Sequence, residues 1–281
     1  SYGWEFAFII IGGLGFLWMF FWVWAYDKPD VSKHVNEAEL AYINIDQKDD
    51  KVTSNEGDNV TIPFLKCFSF RQTWAFLAGK FFTDGVWWFF LFWCPADFSD
   101  RLGSKSSHSL NISLMITLYA IVSVFSMFGG YLPKYLVEHK GLKPFKGRMR
   151  AMLIFAFIPL VALFAQKLGE FSPWWPAVLI GIACAGHQAW SANLYSIVGD
   201  MFPKSTIATI VGVGGMAGAL INYFAGKLFT HAQAAGDAFT FFGFSGKPAG
   251  YMIVFCICGV AYLFAWMIMR ALVPRYKKIE I

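Results

Sequence analysis

The chain has 281 residues, of which 57% are hydrophobic, 19% aromatic and 15% charged, with a mean hydropathy of +0.50. Soluble domains run near 25% charged; here the deficit gathers into apolar runs of roughly 20 residues, long enough to cross a bilayer, which excludes an ordinary soluble domain and predicts an integral membrane protein. The formal charge of +5 does not indicate nucleic acid, because the basic residues sort by membrane side and form no stripe on a soluble domain.

In chain order the predicted spans are Trp4 to Tyr26, Trp74 to Cys94, Ile112 to Leu132, Ala151 to Leu168, Trp174 to Val198, Ile207 to Phe229 and Tyr251 to Val273. They are apolar all round, unlike amphipathic surface helices, and no period-2 alternation suggests a barrel. The fold class expected is therefore all-α, with seven transmembrane helices. Placing the C-terminus in the cytoplasm puts about 17 of the 23 lysines and arginines on the inner side, an asymmetry that sets the orientation. Seven spans then leave the N-terminus outside. Because the chain opens on Ser1 without a basic or cleavable leader, the expectation is a fragment; a complete seven-span protein is the competing reading.

After the first span, Asp27 to Thr73 is the longest polar segment. It predicts a short helix within VSKHVNEAELAYI, a flexible linker through DQKDD and SNEGDN, and an interfacial approach from Pro63 to Phe70. In the second span Lys80 and Asp84 are four residues apart and share a face with Trp87. Lys80 can pair with Asp84 or snorkel to the inner surface, whereas Asp84 is too short to do so. An acid at that depth is either neutralised by its lysine or poised to take a proton.

The third span ends in GGYLPKYL and leads into a basic inner loop. The fourth, with Pro159, is expected to give lipid-facing support. Trp174 and Trp175 open the fifth at the outer interface, where indoles prefer to sit. In the fifth span, AGHQAWSANLYSIVGDMFP sets His187, Gln188, Ser191, Asn193 and Tyr195 inside an apolar run. At about 100° per residue, Gln188, Ser191 and Tyr195 fall within about 60° of one another, with His187 at the edge of the arc; Trp190 and Asn193 point elsewhere. Interhelical hydrogen bonding or substrate contact can each explain such residues, and the cluster as a whole favours a substrate site near the midplane.

The sixth span carries Gly214 and Gly218 in GxxxG spacing; Gly215 shares a face with Asn222 seven residues on. Packing accounts for the glycines more easily than for the asparagine. The last span is plain apart from cysteines. The five cysteines, Cys67, Cys94, Cys184, Cys256 and Cys258, lack the spacing of a zinc site or a disulfide framework and read as small apolar residues.

Taken in order, IIIGGLGFLWMFFWVWAY, GKFFTDGVWWFFLFWCPADF, GHQAWSANLYSIVGDMFP and the glycine-rich sixth span resemble the hexuronate-transporter branch of the anion:cation symporters, in the major facilitator superfamily. HQAWSANL followed by GDMFP is the most specific part. The resemblance implies the sixth span and the C-terminal six-helix bundle of a twelve-span carrier, with residues 1–26 ending the N-terminal bundle, 27–73 forming the central cytoplasmic linker and 74–281 the C-terminal bundle. It implies further that Lys80, Asp84, Gln188, Ser191, Tyr195, Gly215 and Asn222 line half of a cavity whose carboxylate-binding arginine belongs to the missing N-terminal bundle. The inner-loop motif of such carriers is degraded, with Pro133 and Lys134 where an acid is expected.

The function implied is proton symport of galacturonate or glucuronate by alternating access, in the bacterial inner membrane. Gln188, Ser191, Asn193 and Asn222 would serve the hydroxyls, Trp87, Trp88 and Tyr195 would stack on the sugar, and Lys80 would add positive potential. Asp84 and His187 are the local candidates for proton coupling. The partners expected are the sugar-acid anion, the proton, the lipid bilayer and the missing bundle; no cofactor, metal or nucleic acid is expected. A carrier of another organic anion such as an aldonate is the near alternative, and a complete heptahelical receptor-like protein the distant one. Paired aspartates, HExxH and Gly-x-Ser-x-Gly are all lacking, so an enzyme is not expected.

Overall fold

The computed structural model describes residues 3–43, 62–102, 108–216 and 219–279; at a few helix positions, Asn222 among them, the backbone alone is described. By its contacts the chain divides into two units, Ser1–Gly57 and Asp58–Ile281.

In the first unit, α1 (Trp4–Ala25) is uninterrupted and apolar on every face. Its 22 residues reach about 33 Å at 1.5 Å per residue, enough for a hydrocarbon core. Trp18, Trp22 and Tyr26 stack at i, i+4 spacing towards its end, where amphipathic rings suit a membrane interface. The helix expected in the polar segment forms over its second half as α2 (Glu37–Ile43). Asn36 sets its start by accepting the Glu39 N–H at 2.8 Å, and Glu37 and Glu39 favour the positive end of the dipole. The flexible-linker expectation through DQKDD and SNEGDN falls outside the described residues.

The second unit is helical apart from a small hairpin. It opens with α3 (Phe64–Cys67) and α4 (Arg71–Leu102). Ile62 and Cys67 are already buried and Thr73 Oγ1 donates to the Cys67 carbonyl at 2.6 Å, so the final residues of the expected linker pack as part of the bundle. Next come α5 (His108–Ser126) and α6 (Phe128–Glu138), with Met127 between them. α7 (Pro144–Phe157) runs through a 3-10 stretch (Ile158–Phe164) into α8 (Ala165–Gly169). Pro159 lacks an N–H, and the backbone winds tighter where that donor is missing. This stretch buries Pro159 and Ala162 and leaves Phe164 exposed, as Ile154 and Phe157 are on the preceding turn of α7.

α9 (Trp174–Met201) is the hub, buried along most of its length and in contact with α4, α5, α6, α7 and α8. Small residues permit those approaches. A Cβ on Gly129 of α6 would lie 2.6 Å from the Ala189 Cα, a separation that only glycine allows. α10 (Lys204–Met216) and α11 (Ala219–Ala235) follow, flanking residues 217–218, so Gly218 of the predicted GxxxG pair lies outside the described residues. The hairpin β1 (Thr240–Phe241) and β2 (Phe244–Ser245) turns through Phe242 and Gly243, both at positive φ, and α12 (Lys247–Leu272) follows, with a non-helical tail after it.

Among the described residues four helical stretches are long and apolar enough to cross a membrane: Glu5–Ala25, Ser109–Glu138, Pro144–Gly169 and Lys247–Leu272. α4, at 32 residues, and α9, at 28, are of comparable length but carry the polar residues on which the candidate site is built.

Candidate functional site

On α4, Phe76, Lys80, Thr83, Asp84 and Trp87 recur at three- and four-residue spacing and therefore share a face. Opposite stands α9. The Lys80 ammonium donates to the Tyr195 hydroxyl at 2.8 Å, lies 4.6 Å from the centroid of that ring, and is ion-paired with Asp84 one turn along its own helix. Lys80 is 3% and Asp84 8% exposed, so the lysine pairs and does not snorkel. Withdrawing each ion from water costs several kcal/mol, about what a well-bonded buried pair returns. Such a pair is weak as a device for stability, and a functional role is the stronger account of it.

A second link joins α9 to α12. His187 Nδ1 and the Tyr262 hydroxyl share a hydrogen bond of 2.7 Å, and Trp87 stacks on the imidazole with centroids 5.2 Å apart and planes 12° from parallel. The Tyr262 hydroxyl is also 3.5 Å from the Thr83 carbonyl. With its proton turned to that carbonyl, Tyr262 accepts from a His187 Nδ1–H, which leaves Nε2 as the imidazole's acceptor. Trp190, fully buried, meets the Tyr262 ring edge-on at 5.7 Å. Two bonded sets thus adjoin on one face of α4: Tyr195 with Lys80 and Asp84, and Thr83 with Tyr262, His187 and Trp87.

Tyr262 corrects the sequence expectation that the last span is plain apart from its cysteines. The signal available was a phenol in the middle of an otherwise apolar run. Its partner could not be read from spacing, because His187 lies 75 residues away in the chain.

Other predicted residues are placed differently. Gln188 and Ser191 are half-buried on the Tyr195 side of α9, and neither side chain has a hydrogen bond among the described residues. Tyr195 is 39% exposed, so this polar stripe faces an open side of the bundle. Gly215 has open space where a Cβ would stand, whereas a Cβ on neighbouring Gly214 would come within 2.6 Å of the Phe76 ring. Trp88 stacks on Phe92, apart from Trp87 and the ion pair. Asn193 is buried, and its amide donates to the Gly129 and Ala189 carbonyls, each at 2.8 Å. That bond fastens α9 to α6. The Asn222 side chain lies outside the described residues.

Two open clefts lie away from Lys80. One of about 600 Å³, lined by Pro95, Phe98, Met115 and Tyr119, opens between α4 and α5 and is apolar. Another of about 300 Å³ lies beside Gly130, Lys134, Arg148 and Ser196, where Arg148 pairs with Asp200 and ties the start of α7 to the end of α9.

Residues 1–226 match the profile of the Major Facilitator Superfamily. The chain is 27% identical over 219 residues to the hexuronate transporter of Escherichia coli (strain K12), covering 77% of this chain and 48% of that protein. It is 25% identical over 221 residues to the D-galactonate transporter of Escherichia coli O6:H1, covering 77% and 50%. It is 21% identical over 268 residues to a probable galactarate/D-glucarate transporter of Escherichia coli (strain K12), covering 92% and 59%. The chain spans about half the length of the first two of these relatives.

Proposed function

The chain belongs to the Major Facilitator Superfamily, as a multi-pass integral membrane protein and not an enzyme, and from that premise we propose that it supplies one half of a secondary carrier importing hexuronates, galacturonate or glucuronate, by proton symport. The observation that carries the reading is Lys80, a buried cation held by Asp84 and by Tyr195 beside the half-buried Gln188 and Ser191. A hexuronate offers one carboxylate and several hydroxyls, and this face offers positive potential, neutral hydrogen-bonding groups and a phenol ring. The relatives named for hexuronate, galactonate and galactarate/D-glucarate transport support the same class, sugar-acid anions.

In this reading α1 is the sixth span of a twelve-span carrier and residues 74–281 form its C-terminal six-helix bundle, joined by a cytoplasmic linker, with the C-terminus cytoplasmic in the bacterial inner membrane. A second bundle faces the Lys80 side, and the two rock about the midplane so that substrate meets one side at a time. Lys80, Trp87, Gln188, Ser191, Tyr195 and Gly215 contact substrate, Asn222 faces the same cavity, and Asp84 with His187 are the coupling groups of this half. Asn193 acts through the α6 contact.

The test is uptake of labelled galacturonate by cells lacking their own carrier and expressing the chain with its upstream coding sequence, with and without a protonophore. Protonophore-sensitive uptake, competed by glucuronate, is expected. Competition by galactonate in place of either uronate would move the substrate to an aldonate. In the same assay Asp84→Asn alters the pH dependence of uptake; an unchanged profile reduces Asp84 to a structural partner of Lys80.

A further inference from the structure

At the end of the bundle where α4 begins and α12 stops, the chain builds a groove that the transport reading leaves unused. After Leu272 the polypeptide leaves the helix at Pro274 and runs back across the helix ends, hydrogen-bonded to α4 and α9. Gln72 Nε2 donates to the Lys277 carbonyl at 3.2 Å, Tyr276 Oη to the Asp200 carbonyl at 3.0 Å, and the Ile279 N–H to the Met201 carbonyl at 3.0 Å. Val273 and Ile279 are each 6% exposed, so the tail is packed into place. Between it and the first turn of α4 lies a space of about 770 Å³ whose lining includes Arg71, Arg275, Lys277 and Lys278 and, among the described residues, no carboxylate. Arg71, Arg275 and Lys277 form no ion pair among the described residues.

We propose that this groove binds phosphate groups, supplied by the headgroup of an anionic phospholipid. Charge-sided anchoring alone scatters lysines and arginines along an inner surface; it does not need Arg71, Arg275 and Lys277 around one groove bounded by a hydrogen-bonded tail. Like charges held together repel one another, and a bound dianion or phosphodiester removes that cost while engaging the guanidinium forks. The first turn of α4 adds the positive end of a 32-residue helix. Membrane depth selects the lipid source. Trp74, Phe64 and Leu65, within a few residues in sequence of the groove's Ser69 to Gln72, are exposed, and the Trp74 indole N–H donates to the Phe68 carbonyl at 2.8 Å, the setting of an interfacial anchor. The choice of a lipid source rests on the membrane orientation proposed above; phosphate recognition does not.

The experiment measures the melting temperature of the purified full chain in neutral detergent, at fixed ionic strength, during titration with short-chain phosphatidylglycerol, phosphatidylcholine or inorganic phosphate. A saturable rise with phosphatidylglycerol and none with phosphatidylcholine is expected. Arg275→Gln with Lys277→Gln weakens the apparent affinity about 25-fold, roughly fivefold for each basic residue removed at a charged membrane surface. Should the double variant fold poorly in phosphatidylcholine, Lys277→Gln alone serves, because the Gln72 bond is made to the Lys277 backbone. An equal saturable rise with inorganic phosphate upholds the site with a free anion as its source. Equal stabilisation by both lipids, or a variant responding as the parent does, overturns the proposal. Neither readout involves uptake, so a failure of the transport assay leaves this result interpretable.

Discussion

At the residue scale the Lys80–Asp84 pair decides most. Removing one member leaves the other charge buried, so Asp84→Ala costs about 3–5 kcal/mol, whereas Lys80→Met with Asp84→Leu together returns most of that stability. Thermal unfolding of the parent and the two variants measures this, and a double variant no more stable than Asp84→Ala would show that the ions do not compensate one another. The His187–Tyr262 bond behaves similarly at lower stakes. Tyr262→Phe strands a buried imidazole nitrogen and costs about 1–3 kcal/mol; since the two rings share one hydrogen bond, Tyr262→Phe and His187→Phe combined cost less than their sum. A double-mutant cycle checks the sign. The first pair was legible because i, i+4 spacing is a local rule. The second was not, because its partners meet only when α9 and α12 pack. Asn193 shows the limit from the other direction: its polarity at membrane depth was visible, but only its 2.8 Å bond to the Gly129 carbonyl assigns it to packing.

At the scale of elements, the approach of helices is set by what they lack. Gly129 sits where a Cβ would meet the α9 backbone, while adjacent Gly130 has nothing within 4 Å. Gly129→Ala therefore forces α6 off α9 and stretches the Asn193 bonds, at about 1–3 kcal/mol for overpacking, and Gly130→Ala stays within about 0.5 kcal/mol. Equal melting temperatures for the two variants would refute the close crossing. This contact was partly readable, since paired glycines in an apolar run indicate a near neighbour. Which of the two faces it requires the helix's rotation, which packing sets. The 3-10 winding after Pro159 follows the same logic. A proline in the run was plain, but its effect on the run's inner side depends on Gly186, where a Cβ would come within 2.8 Å of Ile158. The site depends on these contacts because α9 carries Tyr195 and His187 on the helix that α6 and the 3-10 stretch hold in place.

For the whole molecule, orientation is the property that composition predicts most directly. The basic residues gather at one end of the bundle: Lys146 and Arg150 at the start of α7 are exposed, and the tail brings Arg275 and Lys277 to the ends of α4 and α9. The aromatic hairpin precedes α12 at its other end, with Phe242 72% exposed at the tip. Cytoplasmic retention of lysine and arginine then predicts opposite accessibility for the two ends. Cysteine placed at Phe242 reacts with a membrane-impermeant maleimide in intact cells, and cysteine at Lys146 or Lys277 reacts only after permeabilisation. Background from the native thiols is low, since four of the five cysteines are buried and Cys256 is half-buried within α12. The reverse pattern would place the phosphate groove and the Arg148–Asp200 pair on the outer face, inverting the orientation assigned to transport while leaving the Lys80 site where it is.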